Sequence, residues 1–250
     1  MGNGSKTIKF MACFFIFTLI FLICVIFFFS LSSKFESSAH ADDISLQDNK
    51  KYVVIIDAGH GGEDGGTIGI NGVFEKNINL TLAKKLYDIL NNMDIDCILT
   101  RNEDILLYDR NVDYAGRKKV LDMQARRNIV ESYENSVFIS IHQNSFSQSK
   151  YSGFQAYYSP NDPRSLQLVN LIEKSVKSTL QPNNKRASKM SNGNIYLLDH
   201  LSCPSVLLEC GFLSNPEECE LLCSDKYQNE LCTSIADAVA EFLKQQNNAT

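Results

Sequence analysis

The hydrophobic positions of the chain follow two patterns, short unbroken runs and longer stretches of helical spacing. Apolar, β-branched runs that end at polar or glycine-rich segments are typical of strands buried on both faces of a sheet. Four such runs and one alternating segment predict strands at residues 52–56, 97–100, 137–142, 205–209 and 153–159. We therefore expect a sheet of at least five strands.

Apolar residues three and four positions apart predict helices between these strands. One helix follows Asn77, a second lies around residues 120–134, a third starts at Asp162-Pro163, and further helices follow Asn215-Pro216. The expected inward positions of the third and last helices are Leu166, Val169, Ile172, Val176, Leu180, Leu231, Ile235, Ala238, Val239 and Phe242. This alternation predicts an α/β fold, a single domain with a twisted, mostly parallel or mixed sheet flanked by helices.

The amino terminus differs from the rest of the chain. Residues 10–31 are an apolar, phenylalanine-rich run preceded by Lys6 and Lys9. This run is long enough to cross a bilayer core of ~30 Å, so residues 1–31 are predicted to be a membrane anchor or a signal segment. Ala39-His40-Ala41 resembles a cleavage site, and both alternatives place the remainder outside the cytoplasm. Residues 32–50 are predicted to be a polar tether, and residues 51–246 the folded domain.

Composition narrows the classes of function. The chain has 250 residues, a formal net charge of −5 and no basic block, which argues against a nucleic-acid partner. Two of its eight cysteines, Cys13 and Cys24, lie in the apolar N-terminal run, and the other six form no C-x-x-C pair. A structural zinc knuckle is therefore not expected, and buried apolar roles are favoured over disulfides for these six.

Chemically active side chains lie where three predicted strands end. His60 lies in the glycine-rich turn after the first strand, His142 ends the 137–142 strand, and Glu209 ends the 205–209 strand. Because the carboxyl ends of parallel strands meet at one edge of a sheet, we expect these side chains to lie together. Glu75 stands at a predicted helix start, where a carboxylate also favours the helix dipole.

Two imidazoles and one carboxylate are the ligand set of a catalytic zinc with one open coordination position. A second carboxylate is then free to carry protons. The spacing does not match H-E-x-x-H, so the common metalloprotease signature is absent. The pattern alone leaves open both a zinc hydrolase and a glycine-rich turn with an incidental histidine.

Four motifs resemble the zinc-dependent N-acetylmuramoyl-L-alanine amidases of the amidase-3 family. They are VVIIDAGHGG at 53–62, FEKN at 74–77, ISIHQN at 139–144 and VLLECGFLSN at 206–215. The resemblance implies Zn²⁺ at the C-terminal edge of the strands, with His60, Glu75 and His142 as ligands and Glu209 as the catalytic acid/base. It also implies peptidoglycan as substrate and makes residues 51–246 a zinc amidase catalytic domain.

Loop details are similar to the sporulation branch of this family, which acts in spore cortex, where muramic-δ-lactam forms. They are Asp64-Gly65-Gly66 in place of the more usual Asp-Pro-Gly, and a long 108–119 segment. Two alternatives stay open: a zinc peptidase or deacylase that acts on another cell-wall bond, and a non-catalytic wall-binding regulator. The sequence also leaves open an activating protein partner, besides the membrane contact of the N-terminal segment.

Further polar residues receive weaker interpretations. Arg101, Asn144 and the 102–119 loop are expected to neighbour the substrate. Arg126, Arg127 and Asn128 are interpreted as a solvated helix face, with a supporting role behind the site open for one of them. His200 is expected to be a surface or hydrogen-bonded histidine, and His40 belongs to the tether.

Overall fold

A six-stranded mixed sheet carries the fold in the computed structural model, which describes residues 51–109, 111 and 114–248. Its strands are β1 (Val53–Ala58), β2 (Cys97–Leu99), β3 (Ser136–Asn144), β4 (Gln155–Tyr158), β5 (Lys189–Met190) and β6 (Ser205–Phe212). Six helices flank it: α1 (Glu75–Asn92), α2 (Lys118–Glu131), α3 (Arg164–Thr179), α4 (Tyr196–His200), α5 (Pro216–Cys223) and α6 (Asp225–Asn248). The described residues form a single α/β domain.

The strand order, β2-β1-β3-β6-β4-β5, brings three predicted strand ends to one edge. β2, β1, β3 and β6 are parallel, whereas β4 runs antiparallel to β6. Ala58 pairs with Ile141, and His142 pairs with Glu209, so the carboxyl ends of β1, β3 and β6 lie next to one another. The register of the central strands therefore fixes which side chains can meet.

Both faces of the sheet are covered, which explains the unbroken apolar runs. Val54 and Ile56 face one core, formed with buried residues of α1, α3 and α6, and Ile55 and Phe138 face a second core beneath α2 and α4. Successive side chains of a strand point to opposite faces, so a strand between two helical layers must be apolar at every position. The prediction of a mostly parallel or mixed sheet is confirmed.

The helices differ from expectation at several positions. Leu166 is 45% exposed, because it lies about 100° round α3 from the buried Ser165. The other nine predicted inward positions are buried or half-buried. The 181–194 segment, expected to be a loop, contains the short strand β5, and the apolar run that follows begins α4.

All six cysteines of the described part are free thiols, and disulfides are therefore absent among them. Cys210, Cys219 and Cys232 are buried, as predicted, but Cys223 is exposed at the end of α5, so the prediction of burial is wrong there. The predicted N-terminal segment and tether, residues 1–31 and 32–50, lie outside the described residues. Within those residues, no helix has both the length and the hydropathy to cross a bilayer.

Candidate metal centre

His60, Glu75 and His142 converge at the carboxyl edge of the sheet. One potential ligand atom from each lies within 4.8 Å of the other two. His60 Nε2 is 3.2 Å from Glu75 Oε2, and His142 Nδ1 is 3.0 Å from Glu75 Oε1. The two imidazole rings are 4.9 Å apart, centroid to centroid, and meet edge to face. Two imidazoles and one carboxylate thus form a compact cluster that could hold a metal ion.

Glu75 is held in place by several donors as well as by the histidines. It is the first residue of α1 and is buried. Its oxygens accept hydrogen bonds from the backbone amides of Thr67 and Gln143, at 2.9 and 3.0 Å, and from the Asn79 side chain. Burial would raise its pKa, but His142 and His60 outweigh that effect and hold the pKa of Glu75 well below its usual range. Glu75 is therefore a permanent anion in this site.

Two glycines are required by close contacts with these side chains. A Cβ at Gly59 would lie 2.3 Å from the His142 ring. A Cβ at Gly66 would lie 2.5 Å from Glu75 Oε2, and Gly66 also has φ +65°, which favours glycine. The Gly66 of the unusual Asp64-Gly65-Gly66 segment thus serves the packing of Glu75 and His60.

Asp64 lies beside His60, on the side of the ring away from Glu75, although His60 Nδ1 has no partner in hydrogen-bond geometry among the described residues. Its Oδ2 lies 3.0 Å from His60 Nδ1, while Lys119 Nζ lies 3.3 Å from the same oxygen. Burial would lower the pKa of His60, but the carboxylates of Glu75 and Asp64 raise it. A carboxylate on the second imidazole nitrogen is the usual way in which proteins fix the tautomer of a metal-binding histidine. The sequence analysis did not assign this role to Asp64.

Two buried arginines hold the backbone of the His60 turn. Arg126 donates to the carbonyl oxygens of Ala58 and His60, at 2.8 and 2.7 Å, and Arg101 donates to those of Ala58 and Gly59, at 2.9 and 3.1 Å. These contacts support a backbone that bends sharply, since His60 itself has φ +62°. The turn is therefore positioned before any ligand binds.

The charge of Arg126 is balanced inside the protein. It pairs with Asp57 at 2.6 Å and with Asp122 at 2.8 Å, and all three side chains are buried. Asp57 also accepts from the hydroxyl groups of Thr100 and Ser140. Burial would raise the pKa of Asp57, but Arg126 and the two hydroxyls lower it. This network ties β1 to α2, β3 and the residue that follows β2, directly behind the candidate metal-binding residues.

Glu209 lies on the strand next to that of His142, and its environment differs from that of Glu75. It is the register partner of His142, and its Oε2 is buried without a hydrogen-bond partner among the described residues. Burial raises its pKa to about 7; His142 opposes that shift and Glu75 adds to it. A carboxyl group with such a pKa exchanges protons at neutral pH.

Comparison with known proteins now identifies the family. The profile of the amidase-3 family, described as N-acetylmuramoyl-L-alanine amidase, matches residues 54–241. The chain belongs to this family. It is 31% identical over 196 residues to the germination-specific N-acetylmuramoyl-L-alanine amidase of Bacillus subtilis, covering 78% of this chain and 81% of that protein.

Solved structures of amidases agree with this assignment. The CwlD amidase from Clostridioides difficile, solved in complex with the GerS lipoprotein, is 36% identical with a TM-score of 0.72, covering 77% of this chain and 98% of that chain. The amidase AmiC2 of Nostoc punctiforme is 28% identical with a TM-score of 0.67, covering 78% and 98%. The expectation of an amidase fold is confirmed.

An apolar cavity of about 310 Å³ opens beside the two histidines of this amidase. It lies on the α2 and α4 side of the sheet, and Met123, Phe138 and Leu198 line it together with His60 and His142. The site therefore joins a polar ligand cluster to an apolar recess, the combination that small-molecule sites commonly show.

Several weaker interpretations are revised by the structure. Arg101 is buried, and its guanidinium group donates hydrogen bonds to backbone carbonyl oxygens. This arrangement is inconsistent with direct substrate contact. Arg126 is fully buried, so the prediction of a solvated face is wrong for it, whereas the half-exposed Arg127 pairs with Glu131 on the surface. His200 is exposed and bonds to Tyr196 O at 2.8 Å, as expected.

The 102–119 loop borders the His60 turn through its first half. Asp104 accepts from Gly62 N at 2.8 Å and pairs with Lys76 at 2.6 Å. Leu106 is buried beneath the loop, and Leu107 N donates to Asp122. The expected rim of the site is therefore anchored to both the turn and α2. Asn144 is half-buried near the end of β3, and its side chain accepts from Ser145 N.

Proposed function

We propose that this amidase is zinc-dependent and hydrolyses the amide bond between the lactyl group of N-acetylmuramic acid and the L-alanine of the stem peptide in peptidoglycan. The observation that carries the proposal is the convergence of His60, Glu75 and His142 with Glu209 on the next strand. Two imidazoles and a carboxylate are donors that suit zinc, and catalytic zinc sites keep a position open for water.

The residues divide into a binding set and a proton carrier. We propose that His60, Glu75 and His142 would hold the ion, with Asp64 orienting His60. Zinc, when bound, supplies a Lewis acid that polarises the amide carbonyl and acidifies water. Glu209 takes up the water proton and returns it to the leaving amine of L-alanine, a role that suits a pKa of about 7. The products are a free lactyl carboxylate and a stem peptide with a new amino terminus.

A role in the spore cortex is the narrower part of the proposal. The Bacillus subtilis relative is named as germination-specific, and the Clostridioides difficile relative was solved with a lipoprotein. We propose that this chain likewise acts in cortex formation, before muramic-δ-lactam appears, and that an envelope lipoprotein binds it. Affinity capture of the chain from sporulating cells tests the partner, and a deletion strain whose cortex keeps full muramic-δ-lactam would contradict the cortex role.

We propose that the domain works outside the cytoplasm. Residues 1–31 would act as anchor or signal, residues 32–50 as tether and residues 51–246 as the catalytic domain. The first residue of the protein purified from cell envelopes discriminates between the alternatives: a start near Asp42 indicates cleavage, and a start at the N-terminal segment indicates an anchor.

Digestion of purified peptidoglycan, with and without a chelator, tests the reaction. We expect new L-alanine amino termini, detected by mass spectrometry, that disappear when zinc is removed and return when it is restored. Cleavage at another peptide bond would favour the alternative of a zinc peptidase or deacylase. Release of saccharide fragments would contradict the amidase proposal.

Two substitutions separate the proposed roles. His142→Ala is expected to abolish zinc retention, whereas Glu209→Ala is expected to keep zinc and lose turnover by at least about 100-fold. Metal analysis of both purified variants provides the measurement, and zinc loss in the Glu209 variant would reverse the assignment. The alternative of a non-catalytic wall-binding regulator predicts wild-type peptidoglycan binding with no turnover at all.

A further inference from the structure

Arg186 lies beyond Glu209 along the carboxyl edge of the sheet. Gln155 of β4 is the direct cross-strand partner of Glu209, and Arg186 Nη2 donates to Gln155 Oε1 at 2.7 Å. Gln155 Nε2 in turn donates to Ala187 O at 3.0 Å. Directly opposed residues of paired strands have Cβ atoms about 5 Å apart. The guanidinium group is therefore attached to the immediate neighbour of the proposed proton carrier.

Arg186 has no carboxylate partner in the part of the chain that the structure describes. Arg126 and Arg164, by contrast, pair with aspartates. The nearby Glu218 already accepts hydrogen bonds from two backbone amides, Gly153 N and Phe212 N, at 2.8 Å each. The Nε of Arg186 is buried and without a hydrogen-bond partner among the described residues. A half-buried guanidinium that lacks a carboxylate partner within the described residues is suited to a carboxylate that approaches its exposed part from outside.

The guanidinium group is also held rigidly. It lies over the Phe212 ring, with Cζ 4.8 Å from the ring centroid. The Tyr151 ring stacks on Phe212, with ring centroids 6.4 Å apart, and the exposed Phe146 contacts Tyr151. A cation that is already oriented loses little entropy when it binds an anion. Next to Glu209, the protein thus presents a cationic group that packs on the aromatic ring of Phe212.

The leaving peptide is the part of the substrate that would extend over this flank. Because Glu209 returns the proton to the leaving amine, that nitrogen must lie beside β6, with β4 as the next strand. Strands are about 4.8 Å apart, and one extended residue spans about 3.5 Å. When the peptide runs from β6 toward β4, a carboxylate on its second residue, about 6 Å from the leaving nitrogen, lies within reach of Arg186.

We propose that Arg186 binds the free α-carboxylate of the γ-linked acidic residue that follows L-alanine in the stem peptide. This inference rests on the proposed amidase function and adds a subsite for the leaving peptide. It makes Arg186 a specificity-determining residue that distinguishes a free carboxylate from a carboxamide at this position.

Two soluble substrates test the subsite: N-acetylmuramoyl-L-alanyl-D-isoglutamine and its counterpart with a free α-carboxylate. We expect the zinc-loaded wild type to prefer the acid by about 10- to 100-fold in kcat/KM, as charge-assisted hydrogen bonds allow. Arg186→Gln should remove the preference by lowering kcat/KM for the acid alone, and Arg186→Lys should restore part of it. Lys185→Gln, which removes the same charge from the exposed neighbouring residue, should keep the full preference.

Binding of the two product dipeptides, the acid and the carboxamide, provides a readout that is independent of turnover. Calorimetry should give the same preference for the acid in wild type and none in Arg186→Gln. An equal loss for both substrates in Arg186→Gln, or a preference that survives the substitution, would overturn the subsite. If the zinc-loaded wild type cleaves neither substrate, the proposed amidase reaction fails first and the subsite falls with it.

Discussion

The amino end of α1 and the strand β6 each bring a glutamate to the same site, in opposite surroundings: Glu75 is buried and Glu209 is half-buried. Glu75 accepts hydrogen bonds from two backbone amides and the Asn79 side chain, and its oxygens lie 3.0 and 3.2 Å from ring nitrogens of His142 and His60. Glu209 has one buried oxygen without a partner among the described residues. The first environment stabilises the charged carboxylate, and the second opposes it.

The difference separates the two acids by function. The pKa of Glu75 lies well below its usual range because of the histidines, whereas burial lifts that of Glu209 to about 7. An acid that stays charged is suited to hold a cation, and one that titrates near neutrality is suited to move protons. The comparison teaches that burial and neighbouring side chains can give two carboxyl groups at one site opposite pKa shifts.

The support behind the two ends differs as well. Behind the His60 turn, Arg126 joins Asp57, Asp122 and two backbone carbonyls in a buried network. Glu209 faces Gln155 and Arg186, which the proposed substrate subsite uses. The side of the proposed ligands is thus held by a buried ionic network, whereas the Oε2 of Glu209 lies buried without a hydrogen-bond partner among the described residues. Substitutions on each side should have different effects on stability.

The largest effect is expected from Arg126→Gln on the side of the proposed ligands. Removing the cation leaves Asp57 and Asp122 buried without a charged partner and frees the carbonyl oxygens of the His60 turn. Breaking a buried ion pair in this way lowers the free energy of unfolding by about 3–5 kcal/mol. Urea denaturation of the metal-free protein provides the measurement.

Arg127→Gln is the matched control, because Arg127 is the next residue and pairs with Glu131 at the surface. Its loss should lower the stability far less than Arg126→Gln does, because solvent-exposed ion pairs contribute little. Equal stabilities of the two variants would show that the buried network does not hold the turn, and the contrast between the two sides of the site would lose its basis.

A smaller effect of opposite sign is expected from Glu209→Gln in the metal-free protein. The ordinary pKa of Glu209 is 4.5 and the folded value is about 7. The folded state therefore retains a proton that the unfolded state has lost, so the stability of the wild type falls as pH rises from about 4.5 to 7. Above that range the charge costs roughly 3 kcal/mol, which the neutral glutamine avoids.

Unfolding free energies of both proteins at pH 4 and pH 8 check this prediction. At pH 4 the two should be similar, since Glu209 is protonated in the folded and unfolded states alike. At pH 8 the variant should be the more stable, although it has lost turnover. A wild type that is as stable as the variant at pH 8 would mean that Glu209 is solvated in the folded protein, contrary to its burial.

The sequence predicted the sheet and the ligand cluster because both depend on local patterns. Unbroken apolar runs require cover on both faces, and parallel strands bring their carboxyl ends to one edge. His60, His142 and Glu209 follow such runs, and the structure places them together. The ligand role of Glu75 could be predicted only from the family resemblance, because a carboxylate at a helix start is common without any metal.

The sequence did not predict the residues that support the site, because their partners are distant along the chain. Arg126 meets Asp57 across 69 positions, and its neighbour Arg127 has the same residue type but a surface partner. The spacing of Asp122 and Arg126 at i and i+4, in line with the buried Val130, is the one local signal for an inward pair. For Asp64, the contact with His60 depends on a turn in which His60 adopts a positive φ, which no apolar pattern encodes.

The smallest effect is expected from Asp64→Asn, which tests how far the side of the proposed ligands depends on charge. Asparagine keeps the size of the side chain and one acceptor for His60 Nδ1, but it removes the negative charge that makes the imidazole a stronger ligand. Zinc affinity should fall about 10-fold, the lower end of the range for residues that orient a metal-binding histidine. Competition with a chromophoric chelator measures it.

The control is Lys119→Gln, which removes the exposed cation on the same carboxylate and leaves the contact between Asp64 and His60 intact. Zinc affinity should be unchanged in this variant. If Asp64→Asn also leaves the affinity unchanged, then the backbone contact from Arg126 to the His60 carbonyl orients the imidazole by itself. The orientation of His60 would then come from the buried arginine rather than from the carboxylate beside the histidine.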